Sequence, residues 1–168
     1  LPLLPRQILL LNFLSDIPYT TISGDNVDPE QVARPRSLSI RRIRNFMLVY
    51  GCLTLAFDLL TLLVLRLGFH THAPAFRTGW FIEFTVTEIA VLLVLRTNRP
   101  FFRSAPARTL LATSTTLAAV TVAIPYTPLA KPLGLAALRL PVLASLGVLT
   151  IGYVAAAEAA KRRFPPDR

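Results

Sequence analysis

Cysteine occurs once in this sequence, as Cys52 within an apolar run, which excludes both an intramolecular disulfide and a cysteine-built metal centre. Acidic residues are scarce too, nine against eighteen Lys and Arg in 168 residues. The resulting +9 balance is not arranged as a basic patch interleaved with stacking aromatics, so nucleic acid is set aside as a partner. Also missing are a phosphate-cradling glycine loop, a His-Glu-x-x-His pair and a nucleophile beside a base. The residues therefore offer no ATP site and no hydrolytic chemistry of their own. No basic stretch and small-residue cleavage site mark a secretory signal, and the opening Leu1 suggests part of a longer chain.

What is abundant is hydrocarbon. Hydrophobic residues make up 53% and charged residues 16%, and the mean hydropathy of +0.54 lies well outside the balance of a soluble domain. Five long apolar runs, at about 3–22, 46–67, 79–95, 107–124 and 138–160, alternate with short segments rich in Arg, Pro or Gly. Several reach the roughly 20 residues that cross about 30 Å of bilayer as a helix. Their length, their Leu and Ala content and the lack of alternation exclude strands and a barrel. The expected fold class is all-α, an integral membrane helical bundle of five transmembrane helices in a lipid bilayer.

Basic residues orient such a bundle, because Lys and Arg accumulate on the cytoplasmic side. The loop after the first span holds Arg34, Arg36, Arg41, Arg42 and Arg44; the loop after the third holds Arg96, Arg99, Arg103 and Arg108; the tail holds Lys161, Arg162, Arg163 and Arg168. The remaining five, Arg6, Arg66, Arg77, Lys131 and Arg139, mostly lie near span ends, from which they can snorkel to the interface. The N-terminus is expected outside and the C-terminus in the cytoplasm, and an odd number of spans entering from outside implies a preceding span. Trp80, Tyr50, Tyr126 and Tyr153 fall where an aromatic belt would place them.

Carboxylates within the spans are the chemically informative residues, since an ionised group in the bilayer is costly and is normally kept for a pathway or a site. Asp16, Asp58 and Glu88 each lie about eight residues inward from the expected outer end of a span, about 12 Å at helical rise, so the three share one layer. In "LNFLSDIP", Asn12, Ser15 and Asp16 stand at i, i+3 and i+4 on one helical face and all offer oxygen, the donor preferred by magnesium or calcium. Pro18 lacks an amide hydrogen and leaves the Leu14 carbonyl without its partner, a further potential ligand in a locally unwound helix. The residues alone leave a second role open, in which Asn12 and Asp16 bond to a neighbouring helix as structural contacts.

Asp58 has only Thr54 and Thr61 as polar company on its face, and pairing and ligation are equally open for it. Glu88, with Thr85 and Thr87 near it, is favoured as a ligand, whereas Glu83 is expected to be solvated near the outer interface. His70 and His72 read as an exposed polar turn, and the hydroxyls of "TLLATSTTLAAVT" as helix-packing groups. Glu158 is expected to pair with Arg162 one turn on.

Three segments resemble the C-terminal membrane part of the P-type cation-transporting ATPases, with the greatest similarity to the bacterial magnesium-importing branch. "LNFLSDIP" resembles the sixth span of that family, whose Asn-x-x-x-Asp supplies cation ligands; the resemblance carries this role to Asn12 and Asp16, and Ser15 falls at a hydroxyl ligand of the calcium pumps. "DNVDPEQVARPR", residues 25–36, resembles the loop that follows in magnesium-type pumps. "GWFIEFTVTEIAVLLVLRTNRPFF" resembles the eighth span and its exit, with Glu88 at the position of a calcium-pump ligand where many magnesium importers carry Gln.

The resemblance covers the whole chain as the sixth to tenth of ten spans and implies a bacterial inner-membrane location. It implies Mg2+ or another hard divalent cation as transported ion, with Asn12, Asp16, Ser15, Glu88 and Asp58 as the candidate metal-binding residues. The partner it implies is the N-terminal half of the pump, with the first five spans and the cytoplasmic domains that bind nucleotide and become phosphorylated. The alternative is a non-catalytic membrane scaffold or regulator derived from such a pump. A third reading, a small independent secondary transporter, calls for internal symmetry that the sequence does not offer.

Overall fold

A computed structural model describes residues 3–26, 40–97 and 99–163, with the side chain of Arg42 left aside. Most of the stretch 25–36 therefore lies outside the described residues, as do Arg34, Arg36 and Arg168. The described residues form helices and turns and no strand. Helix α1 runs Pro5–Thr21, α2 Ile40–Leu63 with a π-helical extension Val64–Gly68, α3 Ala73–Leu95, α4 Arg108–Ala123, the short α5 Ala130–Leu133, and α6 Leu140–Arg162.

Local chemistry accounts for most of the helix starts. Pro stands in the first turn of α1, α3 and α6, where its missing amide has no acceptor to serve. The Leu4 amide, just ahead of α1, donates to Gln7 Oε1 at 2.9 Å. Helix α5 ends on Gly134 in the left-handed region at φ 67, a conformation that costs glycine little. Helix α1 continues as α-helix through Pro18, so the expected unwinding does not occur; one missing hydrogen bond is tolerated within an otherwise intact turn.

Among the described residues four segments are long and apolar enough to cross a membrane: Ile43–Gly68, Ala73–Leu95, Arg108–Tyr126 and Leu140–Arg162. The chain is an all-α, multi-pass membrane protein. Helix α1, with 17 residues, spans about 25 Å at helical rise and falls short of that length, although it lies alongside α3 and α4 within the bundle.

Helix α3 is the axis of the fold, packed against α1, α4, α6 and α2. Of its apolar window 56% is buried, against 17% for α2, which places α3 in the core and α2 at the periphery. Gly79 permits one close approach, since a Cβ there would lie 2.8 and 2.9 Å from the Cδ atoms of the fully buried Leu65.

Hydrogen bonds close the two ends of the bundle. At one end, Arg96 donates Nη1 to Asp25 Oδ2 at 2.8 Å and Nη2 to the Ser104 carbonyl, while the Ala107 amide donates to Asp25 Oδ1 at 2.7 Å. Burial raises the Asp25 carboxyl, but the Ala107 amide and the Arg96 guanidinium outweigh it and hold the group below the usual carboxylate range. Beside this clasp, Lys161 Nζ donates to the carbonyls of Val94 at 2.9 Å and Arg99 at 2.7 Å and pairs with Glu158 at 2.9 Å. The partner of Glu158 is thus Lys161 at i+3, not the expected Arg162, because the ammonium is already drawn there by two carbonyls.

At the opposite end, Gln7 Nε2 donates to the carbonyls of Leu133 and Gly134, both at 3.1 Å, and Thr78 Oγ1 accepts the Ala136 amide at 2.9 Å. Two expected belt tyrosines instead join helices within the bundle. The Tyr50 hydroxyl donates to the Ala157 carbonyl at 3.0 Å, and Tyr153 lies 2.9 Å from the Thr54 hydroxyl. A phenol buried between helices takes such a partner because its oxygen finds no water there.

Candidate intramembrane cation site

The residues of α1 divide cleanly by face. Leu11, Leu14, Ser15 and Pro18 are buried against the bundle, whereas Ile8, Leu9, Asn12, Phe13, Asp16 and Tyr19 are exposed at helical spacing on the other side. Asn12 and Asp16 thus project away from the described helices, set in an apolar surface. Ser15 points inward, and its hydroxyl donates to the Leu11 carbonyl at 3.0 Å, the usual resting bond of a serine within a helix.

From α3, half-buried Glu88 faces Ser15 and lies within electrostatic reach of Asp16, with its Oε2 atom lacking a hydrogen-bond donor. Ser15 and Glu88 thus lie at the contact of α1 with α3, while Asp16 and, one turn away, Asn12 stand on the exposed face of α1. Asp58 is not part of this group. It lies half-buried on α2, within electrostatic reach of Glu83 on α3.

Glu83 departs most from expectation, being 1% exposed. Helix α3 begins at Ala73 instead of near Gly79, so Glu83 stands about 15 Å along it at 1.5 Å per residue and not at its mouth. The sequence signal for the earlier start is Pro74, which together with the extended His72 opens the helix.

His70 adopts a left-handed backbone at φ 48 where α2 turns into α3. With His72 and Arg139 it lines a cleft of about 290 Å³, as an exposed polar turn would. Of the α4 hydroxyls, Thr113 meets Thr21 of α1 at 3.2 Å, whereas Thr121 bonds back within its own helix to the Leu117 carbonyl at 2.8 Å.

Oxygen donors alone, two of them carboxylates, suit a hard cation better than a thiophilic metal. Among the described residues no three His, Cys, Asp or Glu side chains converge on a metal-sized point. The sequence profile described as "Cation transporting ATPase, C-terminus" matches residues 1–163. The chain belongs to that family.

Individual members extend the match. This cation ATPase C-terminal region is 33% identical over 159 residues to magnesium-transporting ATPase, P-type 1, of Salmonella typhimurium strain LT2, covering 92% of the chain and 18% of that protein. The corresponding protein of Escherichia coli K12 is 32% identical over the same length, again with 92% and 18% covered. A further Salmonella typhimurium LT2 protein of that name is 31% identical over 169 residues, 98% of the chain and 19% of the relative. The chain thus spans about a fifth of the length of these relatives, in their C-terminal region.

Proposed function

We propose that this chain supplies part of the intramembrane cation path of a P-type ATPase that carries magnesium. Asn12 and Asp16 act as ligands on the exposed face of α1, with Glu88 behind them. The observation that carries this reading is the pairing of an amide and a carboxylate on an apolar helix face that no described helix covers, next to a carboxylate oxygen without a donor. Helices from the remainder of such a pump would cover the face and complete the six oxygens that magnesium prefers.

Ser15 contributes less, because its hydroxyl is already engaged within α1. Asp58 stands with Glu83 and is left out of this site. The charge distribution supports an N-terminus outside and a C-terminus in the cytoplasm, as in the magnesium-importing branch that the sequence resembles. Phosphorylation and nucleotide binding would reside in the partner half, and helix movement would couple them to this site.

The test is a chimera in which this chain replaces the matching region of the Escherichia coli magnesium-transporting ATPase, assayed for magnesium-stimulated ATP hydrolysis and for growth of a strain lacking its own magnesium uptake. Asp16→Asn in that chimera should abolish magnesium activation at millimolar concentration. Unchanged activation by Asp16→Asn in an active chimera would leave the scaffold reading in its place.

A further inference from the structure

The end of the bundle opposite the Asp25–Arg96 clasp carries cations that nothing in the described chain answers. Arg66 belongs to the π-helical end of α2, His70 and His72 to the turn into α3, and Arg139 immediately precedes α6. All four side chains are exposed, and none takes part in a hydrogen bond or ion pair among the described residues. Two clefts adjoin here, with His70, Thr71 and His72 as their common wall. One, of about 290 Å³, reaches Arg139, and the other, of about 500 Å³, reaches Arg66. Every acid on a described helix stands about 15 Å or more along it from this end, as Asp58 does from Gly68 and Glu83 from Ala73.

Hydrogen bonds build the turn that carries the histidines. Thr71 donates its amide, at 3.1 Å, and its hydroxyl, at 2.9 Å, to the carbonyl of fully buried Leu65, closing the chain around His70. That closure holds His70 left-handed at φ 48, one residue past the helix cap Phe69, where glycine is the usual occupant because it has no Cβ to crowd. An imidazole kept where glycine would sit at less cost points to a role for the side chain.

The chemistry of the walls selects an occupant. Guanidinium and imidazole groups donate hydrogen bonds to phosphate oxygens, and the arginine fork can engage two at once. A metal ion is disfavoured, because guanidinium groups border the two imidazoles and no carboxylate does. Phe69, Leu138 and Val142 give the first cleft an apolar side, and the neighbouring Leu67 and Leu140 are 64% and 78% exposed. Cations above an apolar wall match an amphiphile, a phosphate with acyl chains beneath it, better than they match a free ion. The position agrees, since the clefts lie at the ends of the membrane-crossing segments Ile43–Gly68, Ala73–Leu95 and Leu140–Arg162, where lipid headgroups are found.

We propose that Arg66, His70, His72 and Arg139 form a binding site for the phosphate of an anionic phospholipid, whose acyl chains lie along the apolar side of the cleft. The site stands apart from the Asn12–Asp16 face. It is independent of the magnesium reading, because every member belongs to this chain and lipid binding alone tests it.

The test uses the full chain in phosphatidylcholine vesicles and its single tryptophan, Trp80, which lies half-buried about 10 Å into α3 from Ala73 and so reports on the leaflet that holds the clefts. Quenching of Trp80 by phosphatidylglycerol brominated on its acyl chains is compared with quenching by brominated phosphatidylcholine. The anionic lipid should bind at least about fivefold more tightly, the factor that one arginine contributes at a lipid surface. Arg66→Gln and Arg139→Gln should each lower that preference several-fold, whereas Lys131→Gln, at the same end but outside both clefts, should leave it in place. His70→Gly removes the imidazole and eases the backbone, so the preference should fall while the unfolding temperature holds or rises, a split that a merely structural histidine would not give. No preference in the unaltered chain, an unchanged preference in both arginine variants, an equal loss in Lys131→Gln, or loss of the preference to millimolar inorganic phosphate at matched ionic strength would each overturn the proposal, the last by assigning the cations to a free ion. Circular dichroism checks helix content. Should the arginine variants fail to fold, added NaCl must weaken the preference of the unaltered chain, and an insensitive preference would count against the site. A chimera with magnesium activation sensitive to Asp16→Asn but no lipid preference would reject this site alone, and a lipid preference beside unchanged activation in Asp16→Asn would reject the magnesium path alone.

Discussion

Glu83 and Glu88 sit on the same helix five residues apart, yet they inhabit different worlds. At 3.6 residues per turn that separation rotates the side chains by about 140° around the axis of α3, so one faces α2 and α6 while the other faces α1. Glu88 is half-buried behind Asn12 and Asp16, which point out of the fold, whereas Glu83 is buried within the bundle. Behind that exposed polar face, the completion of Glu88 would come, under the proposed function, from outside this chain. A carboxylate that the fold seals must find its compensation within the chain. One central helix thus serves two polar regions that differ in who completes them.

The largest effect that would test this division is on the open side. Asp16→Asn in the chimera should weaken magnesium activation by at least about 100-fold, since even outer-shell partners of a metal site are worth 10- to 100-fold. Asn12→Ala, which removes a neutral ligand, should cost less in the same assay. If the two losses were equal, charge would not be what the open face contributes.

Next in size is the clasp that ties the segment after α1 to the end of α3. Asp25→Asn should destabilise the chain by about 1.5–3 kcal/mol, the range for hydrogen bonds to charged groups, measured by thermal unfolding in detergent. The sign with pH follows from the lowered Asp25 value. The clasp contributes fully above the unfolded-state value near 3.9 and is lost as pH falls through the lower folded value, and Asp25→Asn should remove that acid-dependent part. Smaller again is Tyr50→Phe, which deletes the bond to the Ala157 carbonyl and should cost about 0.6 kcal/mol, the average for a hydrogen bond between membrane helices. Smallest is Ser114→Ala. The Ser114 hydroxyl is buried without a partner, so its removal should be neutral or slightly stabilising in the same unfolding assay.

Much of the bundle was legible because hydropathy is a direct statement about solvent, and four of the expected spans return as long apolar helices. The Asn12–Asp16 face was legible because a spacing of four fixes a common side of a helix whatever surrounds it. The surroundings themselves were not. Glu83 was expected in water because the polar look of "HTHAPAFRTG" hid the start of α3, although Pro74 marked it. Tyr50 and Tyr153 were expected at the membrane surface, yet their partners lie on helices far away in sequence, and no local pattern encodes such a meeting. Lys161 in place of Arg162 follows the same logic, since the carbonyls of Val94 and Arg99 select between two adjacent cations.

The tyrosine links that hold α2 to α6 also set an order in time. They join residues 107 and 99 positions apart, so α2 is made long before the helix that anchors it. At ribosomal rates of about 5–20 residues per second, that interval lasts roughly 5–20 s. Through it the hydroxyls of Tyr50 and Thr54 wait in α2 for partners that arrive only with α6. The contact of α2 with α6 is therefore a late product of assembly, made only once α6 has followed α2 into the membrane.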